Sequence, residues 1–315
     1  MNEQFNIDVD QGLSSTPKTL PSKYFYDKKG DELFVQIMNM PEYYVTRAEY
    51  EIFKEQNNQI ISALDINPIN YFELIELGPG DGTKTKELLK SLVKGNFNFD
   101  YIPIDISQNA LAHLEGSLNK ELAEVSVKIK HGDYFEMLES LKDTNHPKVV
   151  LFLGSNIGNM TDTESAEFIY KLGANLKFGD KLLLGVDLIK SANIVGPAYD
   201  DPTGITKMFN FNLLNRINNE LDGNFKMENF IHKPEYSEEE GIARSFIEST
   251  KDQTIKINGN ANTYLLKKGE KIHTEISRKY NDDIIYKIIK DTDFKISGKL
   301  TDSRNYFSDY ILTRT

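Results

Sequence analysis

The sequence predicts an α/β protein: a doubly wound, mostly parallel sheet that carries a second, α+β lobe. Three observations predict it. From Tyr71 to Lys190 short apolar runs alternate with amphipathic helical stretches, the order that builds a parallel sheet flanked by helices. The first apolar run, YFELIEL, stops in glycines at alternate positions, Gly78, Gly80 and Gly82, and passes directly into a helix that opens TKTKELL. Beyond Lys190 that alternation fails. Residues 223–280 instead alternate apolar and polar side chains around short turns at Asn258-Gly259 and Lys268-Gly269, as antiparallel strands do.

Taken in order, residues 1–18 are polar and weakly patterned, and read as a partly ordered arm. Leu33, Phe34, Ile37 and Met38 then fall at helical spacing, with Asp31 placed to cap and Pro41 to stop the helix. Thr46 can cap a second helix carrying Tyr50, Ile52 and Phe53. Tyr24, Tyr26, Tyr43, Tyr44 and Tyr50 crowd this region. Each reads singly as a core aromatic; as a group they can line a polar pocket, because phenols donate hydrogen bonds without carrying charge. Asn67–Leu77 is the first strong strand, followed by a helix through Leu88, Leu89 and Leu92. The next strand, Tyr101–Ile106, carries Asp105 at its end, 23 residues beyond Gly82. An acid there receives ribose hydroxyls in doubly wound nucleotide sites, although a helix cap by Asp105 or Ser107 explains the same residues equally well. A helix through Ala110, Leu111 and Leu114 leads to the third strand, VSVKIK, and a turn at Gly132-Asp133. Val149–Leu153 is apolar throughout, as a strand covered on both faces should be. A helix over 164–176, the strand DKLLLGVDLI, a loop from Ser191, and a helix with Phe209, Leu213, Leu214 and Ile217 on one face follow. IIYKIIKDTDF adds a last helix and Tyr306–Leu312 a closing strand. The expected division is residues 1–60 with 191–286 as one lobe, and 61–190 with 287–315 as the sheet domain.

Bulk properties exclude several chemistries. The 315 residues, 39% hydrophobic and 27% charged, suffice for a large buried core. A formal net charge of -11 argues against nucleic acid or an anionic membrane as partner. With no cysteine there is no disulfide, thiolate metal site or cysteine nucleophile. The opening residues carry no basic and apolar leader, and no run of about 18 apolar residues occurs, so the expected setting is cytoplasmic. The five histidines lack the i, i+2 or i, i+4 spacing of a zinc site, and no metal is expected. Neither a P-loop nor a G-x-S-x-G elbow is present.

The glycine stretch reads E-x-G-x-G-x-G, with Glu76 ahead of Gly78, rather than the dinucleotide G-x-G-x-x-G. That pattern resembles motif I of class I S-adenosyl-L-methionine (SAM)-dependent methyltransferases, which implies a Rossmann-like methyltransferase sheet. The wider text is similar to the L-histidine Nα-methyltransferase family, which trimethylates the α-amino group of histidine to hercynine on the way to ergothioneine. The matching stretches are YFYDKKGDELFVQIMNMPEYYVTRAEYEIF, ELGPGDGTKT, YIPIDIS, GDYFE, LFLGSNIGNM, DPTGITKMFNFNLLNRIN and HTEISRKY. The resemblance implies SAM held by Gly78, Gly80, Lys84, Asp105, Asp133 and Tyr134, with Asp105 on the ribose and Asp133 near the adenine amino group. Gly154 would lie where cofactor and substrate meet, as would Asn159. Asn159 and Tyr199 would bind the substrate α-carboxylate, Tyr43 would enclose the substrate, and Glu275 and Ser277 would select the imidazole. Tyr26, beside the amine, and Asn159 would be the catalytic residues. It further implies a substrate-binding lobe, a free amino-acid substrate, and a monomer or weak dimer. The chain departs from the family pattern at Pro79, Asp81 and Asn156. Methylation of another amino acid or small amine, and a non-catalytic module that only binds the cofactor, stand as alternatives.

Overall fold

The computed structural model describes residues 3–258 and 262–315; Gly259 of the expected turn and the first two residues of the expected arm lie outside them. The chain divides into two compact units, Met1–Tyr44 with Lys190–Arg278 and Val45–Ile189 with Lys279–Thr315. This division differs from the expected one at Lys190, which joins the first unit, and at residues 45–60 and 279–286, which join the sheet unit. The reason lies in what they bury. Helix Val45–Glu55 turns Val45, Ala48, Ile52 and Phe53 inward. Tyr280 is buried in the core of the sheet unit and donates to the Ile157 carbonyl at 3.1 Å.

The sheet unit is eight-stranded. Its spatial order is Phe294–Thr301, Phe307–Arg314, Lys181–Asp187, Lys148–Phe152, Phe72–Leu77 and Phe99–Asp105. The short pieces Ser126–Val127 and Lys130–His131 both pair with the last of these, in place of one continuous third strand. Strands from Phe72 to Asp187 run parallel, whereas the two C-terminal strands are antiparallel. Phe72–Leu77 and Lys148–Phe152 are buried at every residue; most of those residues are apolar, and Glu73, Glu76 and Lys148 are buried among them. In the edge strand Phe294–Thr301, Phe294 is buried and half-buried positions then alternate with exposed ones as far as Leu300. The apolar stretch before it is a helix that ends at Ile289, so the expected helix stops short of Phe294. Helix Gln108–Glu121 is capped by Ser107, which accepts from the Ala110 N–H. Asp162–Gly173 opens with a capping box formed by Thr161 and Glu164.

In the other unit, Lys18–Thr19 runs parallel to Lys271–Arg278, which is followed by the antiparallel strands Ile242–Ser249 and Phe230–Ser237. Gln253–Lys256 and Thr263–Leu266 form a separate ribbon. The core lies between this sheet and the helices, and the long helix Ile205–Leu221 supplies Phe209, Leu213, Leu214, Ile217 and Leu221. Three expectations are corrected here. The supposed arm is a helix, Glu3–Ser14, whose Phe5, Val9 and Leu13 are fully buried at i, i+4, i+8 spacing. Asp27, not Asp31, caps helix Lys28–Asn39. Its Oδ1 accepts from the Gly30 N–H and from Asn212 Nδ2, both at 2.7 Å, which ties this helix to the long one. The stretch after Ser191 is helical over Ala192–Tyr199 rather than loop. Among the described residues no helix is long and apolar enough to cross a membrane.

Candidate functional site

In the sheet unit the parallel strands end together at Leu77, Asp105, Phe152 and Asp187, and the loops beyond them carry the chemistry. Gly78, Gly80 and Gly82 have φ of 65°, 58° and 68°, a left-handed backbone that strains other residues. A Cβ on Gly78 would lie 2.6 Å from the Tyr134 hydroxyl, whereas one on Gly80 would meet nothing within 4 Å among the described residues. The loop is therefore closed on one side by Tyr134 and open on the other. Asp105 ends its strand half-buried, its Oδ1 accepting from the Ser107 N–H at 2.8 Å, and burial holds its carboxyl above the usual range. Ile106 beside it is 74% exposed, a bare apolar surface next to an acid. Asp133 caps helix Tyr134–Glu139 through its Oδ1, and burial pushes the Tyr134 phenol up. Two acids that solvent reaches, Asp105 and Asp133, act on Tyr134 beside this loop. Such a lining repels a diphosphate and suits a nucleoside with a cationic tail, so these residues fit SAM.

Lys84 sits in the first turn of helix Thr83–Lys94. Its Nζ donates to Glu49 Oε2, and the Gly154 N–H donates to both Glu49 oxygens at 2.9 and 3.0 Å. Burial lowers the Lys84 pKa, but the Glu49 carboxylate outweighs it and the ammonium is held above its usual value. Gly154 and Ser155 are consecutive left-handed residues, and the Ser155 Oγ accepts from the Asp187 N–H at 2.9 Å. Asn159 is exposed at the end of the short turn Asn156–Asn159.

The other unit owes its polar face to one irregularity. In strand Ile242–Ser249, Ala243, Ser245, Ile247 and Ser249 are buried while their neighbours are half-exposed. Ile272 pairs with Ile247 and His273 with Phe246, but Glu275 pairs with Ser245 and Ser277 with Ala243. Thr274 is the extra residue of a β-bulge. Without it, alternation would put Glu275 on the side of His273 and away from the core. With it, Glu275 and Ser277 share the inner face with Ile272. The bulge is pinned there: Thr274 Oγ1 donates to Asn210 Oδ1 at 2.8 Å and to the Ser245 carbonyl at 3.0 Å. Ser245 Oγ donates to Glu275 Oε2 at 2.9 Å. Tyr26 follows the turn Ser22–Phe25, its ring 5.5 Å from Phe34 and 5.6 Å from Phe209, edge-on to both, and 44% exposed. Phe34 in turn lies 6.5 Å from Tyr43. Desolvation first, then the carboxylates of Glu275 and Asp31, push the Tyr26 phenol up, so it stays a neutral donor. Tyr199 is half-buried at the end of its helix.

The structure thus brings Gly78 to Tyr134, Lys84 to Gly154, Tyr26 and Tyr43 into one aromatic cluster, and Glu275 and Ser277 onto one face. Gly80, Asp133 and Asn159 stand exposed. Tyr24 leaves the pocket group, because its hydroxyl donates to Asp8 of the N-terminal helix at 2.7 Å. Two residues escape the sequence reading: Glu49 and Asp309, both fully buried acids. For Glu49 a signal exists. It lies on the apolar stripe of Val45, Ala48, Ile52 and Phe53, where an acid needs a reason.

A family model described as "Histidine-specific methyltransferase, SAM-dependent" matches residues 5–314. The histidine N-alpha-methyltransferase of Mycobacterium tuberculosis is 35% identical over 278 residues, covering 88% of this chain and 85% of that protein. The one from Mycolicibacterium smegmatis is 34% identical over 281 residues, covering 89% and 86%. Ergothioneine biosynthesis protein 1 of Schizosaccharomyces pombe is 31% identical over 304 residues, covering 94% of this chain and 39% of that longer protein.

Proposed function

The chain belongs to the family of SAM-dependent, histidine-specific methyltransferases, and from that premise we propose that it methylates the α-amino nitrogen of L-histidine three times, giving hercynine. The observation that carries the choice of acceptor is the bulge that turns Glu275 and Ser277 to the inner face of their sheet. A carboxylate and a hydroxyl there can accept from and donate to the two imidazole nitrogens.

Bound SAM supplies a methyl on a sulfonium; each transfer forms an N–C bond, breaks the S–C bond, and follows loss of the amine proton to solvent. The residues of the chain bind and orient. Gly78, Gly80 and Lys84 take the amino-acid end of SAM, Asp105 the ribose, and Asp133 with Tyr134 the adenine. Asn159 and Tyr199 hold the substrate α-carboxylate, Tyr43 encloses the substrate, and Gly154 lies where cofactor and substrate meet. Tyr26, a neutral phenol, orients the amine. Alignment and desolvation then account for the rate without a covalent intermediate. The unit of Met1–Tyr44 with Lys190–Arg278 acts as the substrate-binding lobe, and the sheet unit as the SAM-binding one. The proposed setting is the cytoplasm, with a monomer or weak dimer acting on free amino acid. The net charge of -11 favours that substrate over nucleic acid or an anionic membrane.

A substrate panel tests the acceptor. L-Histidine should exceed L-phenylalanine and histamine in kcat/KM by about 10³-fold or more, since each analogue leaves polar groups of the site unmatched. Equal turnover of phenylalanine would move the activity to another amino acid; equal turnover of histamine would remove the carboxylate role of Asn159 and Tyr199.

A further inference from the structure

We propose that Glu49 is a positioning residue for the methyl donor: a fully buried carboxylate that fixes the Lys84 ammonium and the Gly154 N–H relative to each other. The proposal rests on the reading of SAM as the bound cofactor, and adds a residue on an element that supplies none of the cofactor-binding groups named above. Glu49 lies on helix Val45–Glu55 among Ala48, Ile52 and Phe53, all of them fully buried. A lone carboxylate in such a place costs several kcal/mol, so its survival depends on its partners. Those partners are Lys84, in the first turn of helix Thr83–Lys94, and Gly154, in the loop after strand Lys148–Phe152. One carboxylate thus ties the start of the helix after the glycine loop to the loop after Lys148–Phe152. The ammonium lies 3.5 Å from the place a Gly154 Cβ would take, so it packs against that loop at ordinary contact distance.

Asp309 completes the arrangement. It is fully buried and, among the described residues, neither of its oxygens has a hydrogen-bond partner. It shares with Glu49 the space over Gly185, where a Cβ would lie 2.2 Å from Glu49 Oε1 and 3.0 Å from Asp309 Oδ1. The nearby Glu76 is already occupied by the Thr85 and Tyr101 hydroxyls at 2.7 and 2.5 Å. One lysine cannot balance two buried carboxylates. Asp309 is therefore the neutral acid, kept protonated by burial and by the Glu49 charge, and Glu49 is the anion. The result is a lysine whose charge and place are settled before the donor arrives. The carboxylate at the amino-acid end of SAM then meets a cation that need not lose side-chain freedom on binding.

Calorimetry with S-adenosylhomocysteine on the full chain tests this, with melting temperatures recorded for each variant. Glu49→Gln and Lys84→Gln should each weaken Kd by about tenfold or more, and the double variant should bind no more weakly than the worse single one, because the two act as one unit. Asp309→Asn should cost less than about threefold, since Asn replaces a neutral acid. If Glu49→Gln lowers only the melting temperature and keeps Kd within about threefold of the wild type, Glu49 is structural and the proposal falls. Losses that multiply in the double variant overturn it as well, as does an Asp309→Asn loss larger than that of Glu49→Gln. Should Glu49→Gln not fold, the double variant, free of the stranded ammonium, must bind as weakly as Lys84→Gln; tighter binding refutes the proposal. A wild-type chain that binds no S-adenosylhomocysteine removes the cofactor reading itself, and this proposal with it.

Discussion

Glu275→Ala is expected to lower kcat/KM for L-histidine by about 10³-fold while leaving S-adenosylhomocysteine binding within about threefold of wild type. The magnitude follows from what the substitution removes. Glu275 is a half-buried acceptor on the inner face of its sheet, held in one orientation by Ser245 Oγ at 2.9 Å. An imidazole N–H that loses this acceptor is desolvated without a partner, and Ser245 loses its own acceptor too. An unmatched buried polar group costs about 1–3 kcal/mol, more when one of the pair is charged. Because the loss falls on histidine and not on the cofactor, parallel kinetics and calorimetry separate recognition from general damage. Full histidine turnover by this variant would mean that the imidazole is read elsewhere. Discrimination between histidine and phenylalanine should collapse in the same variant, a result that mere destabilisation does not produce.

The second large effect is expected at Gly78. Its φ of 65° costs an alanine about 1–2 kcal/mol, and the new methyl would come 2.6 Å from the Tyr134 hydroxyl. Tyr134 must then swing away from the loop, and both groups proposed to hold the cofactor are disturbed at once. Gly78→Ala should weaken S-adenosylhomocysteine by about thirtyfold or more. Adding Tyr134→Phe removes the colliding oxygen and should recover several-fold of that affinity. Failure of the second substitution to recover anything would place the damage in the backbone alone.

Much of this was legible in the residues. The sheet reads clearly because its central strands are buried on both faces, so Phe72–Leu77 and Lys148–Phe152 are mostly apolar, interrupted only by Glu73, Glu76 and Lys148. Glycines at alternate positions were equally plain, and all three adopt the left-handed backbone that only glycine takes cheaply. The N-terminal helix was not legible in the same way. Its stripe of Phe5, Val9 and Leu13 is three residues wide in a polar context, and its burial comes from tertiary packing. Nor could the chain text show the bulge at Thr274. HTEIS reads as ordinary alternation, and the irregularity exists only in register against Ile242–Ser249. Family resemblance pointed to Glu275 and Ser277 as residues, whereas their inward placement depends on pairing between strands. Glu49 is the intermediate case, since an acid on an apolar helical stripe is visible, but its partners Lys84 and Gly154 lie 35 and 105 residues away.

The central claim is that histidine is methylated on its α-amino nitrogen. Purified protein incubated with L-histidine and SAM carrying deuterated methyl groups should give mono-, di- and trimethylated histidine in sequence. Fragmentation in the mass spectrometer should leave the imidazole-bearing fragment unlabelled and place every deuterated methyl on the α-nitrogen. Label on the ring, or no mass shift in a sample shown to bind S-adenosylhomocysteine, would contradict the account.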